Sequence, residues 1–304
     1  MPPTPRPDPG PPAPGADPFQ EPRRDDCPWC GSRRLRTRVR APEGPRRTPG
    51  TFVVDECRDC SHAFQNPRPT ADGLLLRHHR HPTEGHIRSN LAGRLRRRHH
   101  RTAARALLPY IEPESWLDVG TGHGYFPEAA REVHPYTAFD GVDPTPRVER
   151  ARAAGRIEEA YQGLLTDPEI TARLRARYDV VSMFHHLEHT ADPRAELRAA
   201  RTVLRPDGHL LVEVPDPARP FGTLTMVPRW PGRAHDRPRP LHLMPLRNLL
   251  AELRSLGYEV VATRSCAPFP PRAHRIIARR TALPPAPAAP PPEPSAPPPD
   301  ASAP

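Results

Sequence analysis

The chain has 304 residues, enough for one substantial domain plus a small module and tails, and its net charge is +10. Hydrophobic residues make up only 36%, but many of the 48 Pro sit at the two ends, so this average understates how apolar the middle is. No stretch approaches the roughly 18 apolar residues of a membrane span, and the opening MPPTPRPDPGPP lacks the basic and apolar regions of a signal peptide; a soluble, cytoplasmic protein with no membrane partner is expected.

All 45 basic residues are Arg. With abundant Pro and Ala, this fits the codon bias of a GC-rich genome. The charge is therefore read first as background and only second as a nucleic-acid footprint. Nucleic acid is accordingly not the expected partner.

In chain order, residues 1–24 are Pro-rich with little to bury and read as a disordered tail. Residues 25–70 form a compact Cys-bearing unit. Cys27-Pro-Trp-Cys30 and Cys57-Arg-Asp-Cys60 are two C-x-x-C knuckles, a spacing that suits tetrahedral zinc held by Cys27, Cys30, Cys57 and Cys60. The residues between them read as a hairpin, which makes the unit a zinc ribbon. Four thiolates leave no open coordination position, so the metal is expected to be structural; a redox function is the alternative. Cys266 is left as an ordinary thiol, and a disulfide framework is not expected in this compartment.

Residues 71–112 read as a basic helical connector. Leu95, Ala103, Ala106, Leu107 and Tyr110 give it a sparse apolar face, and its Arg residues face solvent or, alternatively, a polyanion. Residues 113–280 then alternate strand, turn and helix: SWLDVG, YFPEAAREV, AFDGVDP, TPRVERARAAG, YDVVSMF, DPRAELRAARTVLRPDG and HLLVEVP. Asp192 caps the helix that Pro193 opens. A last helix repeats Leu246, Leu249, Leu250, Leu253 and Leu256 and ends at Gly257, before YEVVATR and HRIIARR. This rhythm implies an α/β, doubly wound, mostly parallel sheet. Residues 281–304 are a second Pro/Ala-rich tail, expected to be disordered.

In such a sheet, ligands bind beyond the carboxyl ends of the strands, near the switch point. There, LDVGTGHGYF carries Gly120, Gly122 and Gly124, which permit a sharp turn and close approach. Asp118 precedes the turn and suits a cationic ligand group. Asp143 ends the next strand and suits ribose hydroxyls. The G-x-G-x-G spacing differs from the G-x-G-x-x-G that cradles a pyrophosphate and, with an acid before it, resembles the form of S-adenosylmethionine sites.

These residues carry a resemblance. WLDVGTGHGYF, GVDPTPRVERAR, YDVVSMFHHLEHTADPRAELRAARTVLRPDGHLLVEVPDP and LHLMPLRNLLAELRSLGYEV together resemble the successive blocks of class I S-adenosylmethionine-dependent methyltransferases. The resemblance implies a seven-stranded Rossmann-like sheet whose last strand is antiparallel. It also implies cofactor contacts from Asp118, Gly120, Thr121, Gly122, Gly124, Asp143 and Phe184. YQGLLTDPE departs from the family pattern, with no acid directly after Gly163. QNPRPT after the second knuckle resembles bacterial methyltransferases with an N-terminal zinc ribbon.

FHHLEHT contains H-x-x-E-H, a zinc hydrolase spacing, but it falls in a loop after a strand rather than inside a helix. Three readings stand: His185 or His189 as the base that deprotonates an acceptor, a divalent-ion loop, or Glu188 and His189 bonding only to fix the loop. His186 is expected to pack or to face solvent, and His242 in LHLMP is a candidate for the acceptor pocket. The leading function is methyl transfer to a small-molecule acceptor: a sugar, a lipid precursor or a secondary metabolite. The alternatives are an RNA or protein methyltransferase docked by the ribbon and RRRHHR, and a non-catalytic zinc-ribbon binding protein.

Overall fold

The computed structural model describes residues 18–42, 51–74, 91–217, 240–266 and 273–282. The expected tail segments 1–17 and 283–304 lie outside the described residues, as does 75–90 of the connector.

The Cys unit is built on β1 (Leu35–Pro42), β2 (Thr51–Cys57) and β3 (Ala63–Gln65), antiparallel in that order. β1 and β2 form the expected hairpin. A fourth strand, β9 (His242–Leu243), completes this sheet from far along the chain, pairing Phe64 with His242 and Ala63 with Leu243. Residues 18–24, assigned to the tail by their Pro content, are ordered along this unit: Gln20 bridges Pro69, and Glu21 donates its amide to the Arg68 carbonyl. The tail reading missed the polar partners supplied by QNPRPT. Asn66 Nδ2 donates to Asp55 and to the Arg24 carbonyl, and the Arg68 guanidinium pairs with Glu21 at 2.6 Å.

The connector helix α1 (Leu91–Arg105) buries Ala103 and Ala104, and Leu107 just beyond it, while Tyr110 stays exposed. Then come β4 (Ser115–Val119), α2 (Tyr125–Ala130), β5 (Ala138–Asp143), α3 (Arg147–Ala153), β6 (Ala160–Gln162), α4 (Pro168–Arg173) and β7 (Tyr178–Phe184). After these follow α5 (Pro193–Val203), β8 (Leu204–Pro215), α6 (Leu246–Ser255), β10 (Tyr258–Cys266) and β11 (Ala273–Arg280). The large sheet has the order β10-β11-β8-β7-β4-β5-β6. β11 alone is antiparallel to its neighbours, as expected of the closing strand. α5 stops at Val203, short of the expected Pro206-Asp207-Gly208. Those residues instead loop out of β8, with Asp207 at φ 60° and a break in the β7–β8 register.

β4 and β7 are apolar on both faces because both are covered. Trp116, Val180, Leu211 and Ile277 point to the α1–α2 side with Phe126 and Phe139; Leu117, Val181, Val212 and Ile276 point to the other. Each such fully buried side chain contributes about 1.5–3 kcal/mol. The second cluster also takes in Trp29, Cys57 and Phe64, so the ribbon and the large sheet share one apolar core. Polar ties reinforce this: the Arg194 guanidinium lies 4.5 Å from the Trp29 ring centroid and donates to the Trp29 carbonyl, and Asn248 Nδ2 donates to the Cys60 carbonyl. Among the described residues no helix is long and apolar enough to cross a membrane.

Candidate active site

Strand order reverses between β4 and β7, and in open sheets of this kind the ligand site lies beyond the carboxyl ends at that point. The glycine turn fills one side of it. Gly120, Gly122 and Gly124 have φ of 72°, 53° and 72°, the left-handed region that side chains disfavour. A Cβ on Gly120 would lie 2.6 Å from His186 Nδ1, so this glycine is needed for space as well as for its angle.

The turn and the acid at the end of β5 meet directly. The Gly122 amide donates to Asp143 Oδ2 at 2.9 Å, and the Thr145 amide and hydroxyl donate to Oδ1. Asp118 is buried beneath the turn and accepts from Ser182 Oγ at 2.6 Å, and that hydroxyl in turn accepts from Trp116 Nε1. Burial raises the Asp118 pKa to about 7 against the pull of Ser182. Thr121 is buried in the turn, and its methyl group fits the space that a Cβ on Gly141 would occupy. Phe184, half-buried, packs on Phe126 with ring centroids 4.2 Å apart. Asp143, Asp118 and the glycine turn are thus brought together as expected. Within YQGLLTDPE, Asp167 folds back to accept from the Leu164 amide.

The histidine loop fills the other side. His185 leaves β7 at φ 50°, and a short 3-10 turn follows over Leu187–His189. His185 Nδ1 lies 3.2 Å from Glu188 Oε1 and Nε2 lies 3.5 Å from Glu213 Oε1. Its side chain is still 46% exposed; partial desolvation would lower its pKa, and the two carboxylates overcome this and raise it to about 10. Glu213, in β8, also meets His99 of α1 at 2.5 Å and accepts a two-point contact from the buried Arg275 of β11. With His185 first, then His99 and Arg275, these partners pull its carboxyl well below the ordinary range despite burial. His186 packs over Gly120, with Nε2 3.4 Å from Glu196 Oε2. His189 ends the 3-10 turn.

His242, a candidate for the acceptor pocket, sits where the ribbon meets the histidine loop, next to Leu241, whose amide donates to the Glu188 carbonyl. It is buried in β9, its Nδ1 3.1 Å from His62 Nε2, in a stack that continues to Trp29 and Phe64. Burial depresses both imidazoles, His242 to about 4.

Cys27, Cys30, Cys57 and Cys60 place their sulfurs within 4.8 Å of one another, with Cys27–Cys60 and Cys30–Cys57 each at 3.6 Å. A tetrahedral zinc with Zn–S near 2.3 Å needs sulfurs about 3.8 Å apart, so the donor set fits that ion. Among the described residues this is the one such group of potential metal ligands.

His99, Glu213 and Arg275 were not singled out from the sequence, and His186, expected to pack or to face solvent, packs. A signal did exist for two of them: a charge inside the apolar runs HLLVEVP and HRIIARR is costly unless paired.

Residues 87–263 match the family described as "Methyltransferase domain", more than half of the chain. The ubiquinone biosynthesis O-methyltransferase of Aeromonas salmonicida (strain A449) is 35% identical over 98 residues, 32% of this chain and 41% of that one. That of Alkalilimnicola ehrlichii is 30% identical over 121 residues, 39% and 45% of the two chains. The chain thus spans less than half the length of these curated relatives. Among solved structures, the magnesium protoporphyrin IX methyltransferase of Synechocystis PCC 6803 aligns with a TM-score of 0.49 at 15% identity, covering 69% of this chain and 95% of that one. An O-methyltransferase family protein from Burkholderia thailandensis aligns at 0.45 and 17% identity, covering 69% and 67%. With its sheet order and the family match over 87–263, the chain belongs to the class I S-adenosylmethionine-dependent methyltransferases and carries a four-cysteine ribbon at its N-terminal side.

Proposed function

We propose that the chain methylates a hydroxyl on a small organic molecule, of the sugar, lipid-precursor or secondary-metabolite kind. The observation that supports this most is the junction at Asp143. Its Oδ2 accepts one bond, from the Gly122 amide, and a carboxylate oxygen has two acceptor positions, so one remains for a ribose hydroxyl beside the turn. In this reading Asp118, Gly120, Thr121, Gly122, Gly124, Asp143 and Phe184 bind the cofactor. The relatives, named for O-methylation in ubiquinone biosynthesis, favour oxygen and a small acceptor.

S-adenosylmethionine, when bound, supplies an electrophilic methyl on a sulfonium. The protein's part is to place the acceptor oxygen in line and to take its proton. His185 and His189 face that task differently. With both ring nitrogens turned to carboxylates, His185 is held as the imidazolium and lowers the pKa of a nearby hydroxyl. His189 is then the base. The four cysteines hold a structural zinc, which takes no part in the transfer.

Calorimetry tests the cofactor half. Asp143→Ala should weaken S-adenosylmethionine binding by about 1–3 kcal/mol, the scale of unpaired polar groups. No binding to the wild type at millimolar cofactor would overturn the reading. Tight, steeply salt-dependent retention of RNA on filters would overturn the small acceptor.

A further inference from the structure

The ribbon touches the large domain at a particular place. Leu241 donates its amide to the Glu188 carbonyl at 2.6 Å, inside the histidine loop. The Leu241 carbonyl accepts from the Gln65 amide of β3 at 2.9 Å, and His242 and Leu243 pair with Phe64 and Ala63. β3 leads back to the second knuckle, where the Cys57 amide donates to the His62 carbonyl at 2.9 Å. A second tie runs in parallel: Arg68 Nη1 donates to the Ala191 carbonyl at 2.7 Å. Both ends of the segment 188–191 are therefore held by donors that the ribbon places.

β9 has two residues, and among the described residues β3 is its sole strand partner. A strand that short has no stability of its own. Leu241, His242, Leu243 and Met244 are all buried, so the contact is a packed one. The glycine turn has no bond to the ribbon: its hydrogen bonds run to β5, to its own residues, to Glu128 and to Arg156, and its contact with the histidine loop is the packing of His186 on Gly120.

We propose that the ribbon is a positioning element of the acceptor site: β3, acting through β9 and Arg68, fixes the loop at 185–191 and with it the placement of His185 and Glu188. This rests on the acceptor-site reading of that loop. The metal acts at a distance, by keeping β2 and β3 in register, and the positioning residues are Gln65, Arg68 and Leu241.

Hydrogen exchange on the full chain tests this, comparing a peptide over 185–191 with one over 118–124, with zinc bound and after its removal by a chelator. Zinc removal should raise exchange in the first by about tenfold or more while leaving the second nearly unchanged. A zinc-loaded Arg68→Gln variant, its metal content verified, should raise exchange at 185–191 by about threefold. A second readout is the imidazole NMR titration of His185, which faces Glu188 in the loop and Glu213 in β8, the latter shared with His99 in α1 and Arg275 in β11. In the variant its pKa should fall towards the ordinary histidine value while S-adenosylmethionine affinity stays within about twofold. Unchanged exchange at 185–191 in both preparations would overturn the proposal. So would an equal rise in both peptides, because the ribbon would then support the whole fold. Failure to bind cofactor would instead count against the methyltransferase site, since neither readout requires turnover.

Discussion

The glycine turn at 120–124 and the histidine loop at 185–189 meet beyond the carboxyl ends of β4 and β7, and they are held by different means. The turn is local: three left-handed glycines, one carboxylate at the end of the adjacent strand, and backbone bonds to Val142. The loop is assembled from afar. His185 answers to Glu213 in β8, which answers to His99 in α1 and Arg275 in β11, and the loop backbone is held through β9. A cofactor common to many enzymes suits the self-contained side. An acceptor particular to one enzyme suits the side whose geometry many elements can tune.

The largest effect should come from the ribbon. Cys57→Ser should abolish metal binding, seen as a fall in zinc content per chain. Structural zinc contributes about 10–16 kcal/mol in finger peptides, so the small unit should lose order with it. Retention of zinc by the three remaining thiolates would deny the ribbon its dependence on all four. Next is Glu213→Gln, which leaves the buried Arg275 guanidinium without its counter-charge. A cost of about 3–5 kcal/mol is expected in urea unfolding. A near-neutral result would mean that the loop, like the turn, does not rely on distant charges.

The smallest effect lies on the cofactor side. Asp118 has its pKa raised from 3.8 to about 7 by burial, so in the free protein its protonated form is the more comfortable one. The sign follows: stability from this group is full below about pH 4 and is lost as pH rises through about 7. A cationic ligand favours the carboxylate. Cofactor affinity should therefore rise with pH up to about 7, by at most tenfold per unit, then level off. Calorimetry across that range measures this, and a flat profile would remove Asp118 from contact with the cationic end.

This difference also explains what the sequence disclosed. The strands, the turn and the two knuckles are short, contiguous signals, and the doubly wound sheet, the Asp143 junction and the four-sulfur cluster could be read from them. The ordered stretch 18–24 could not, because its partners Arg68, Asp55 and Asn66 lie over 30 residues away. The strand at His242 was illegible for a similar reason: LHLMP looks like a loop, and only pairing with Phe64 turns it into a strand. Glu213 and Arg275 are each a charge in an apolar run, a signal passed over in the sequence, and nothing local says that they face one another. His186 shows the limit most clearly, since its contact with Gly120 depends on how two strand ends lie side by side.

The borrowed strand β9 has a consequence for how this molecule can be divided. Cut away from the large domain, the ribbon would expose the free edge of β3, with buried Ala63, Phe64 and Gln65 along it, an open template for pairing with other chains. The large domain without the ribbon would bare the buried residues Leu241 to Met244. Neither half is a portable cassette, and shuffling the metal knuckles onto a different catalytic scaffold would require a matching donor strand to travel with them.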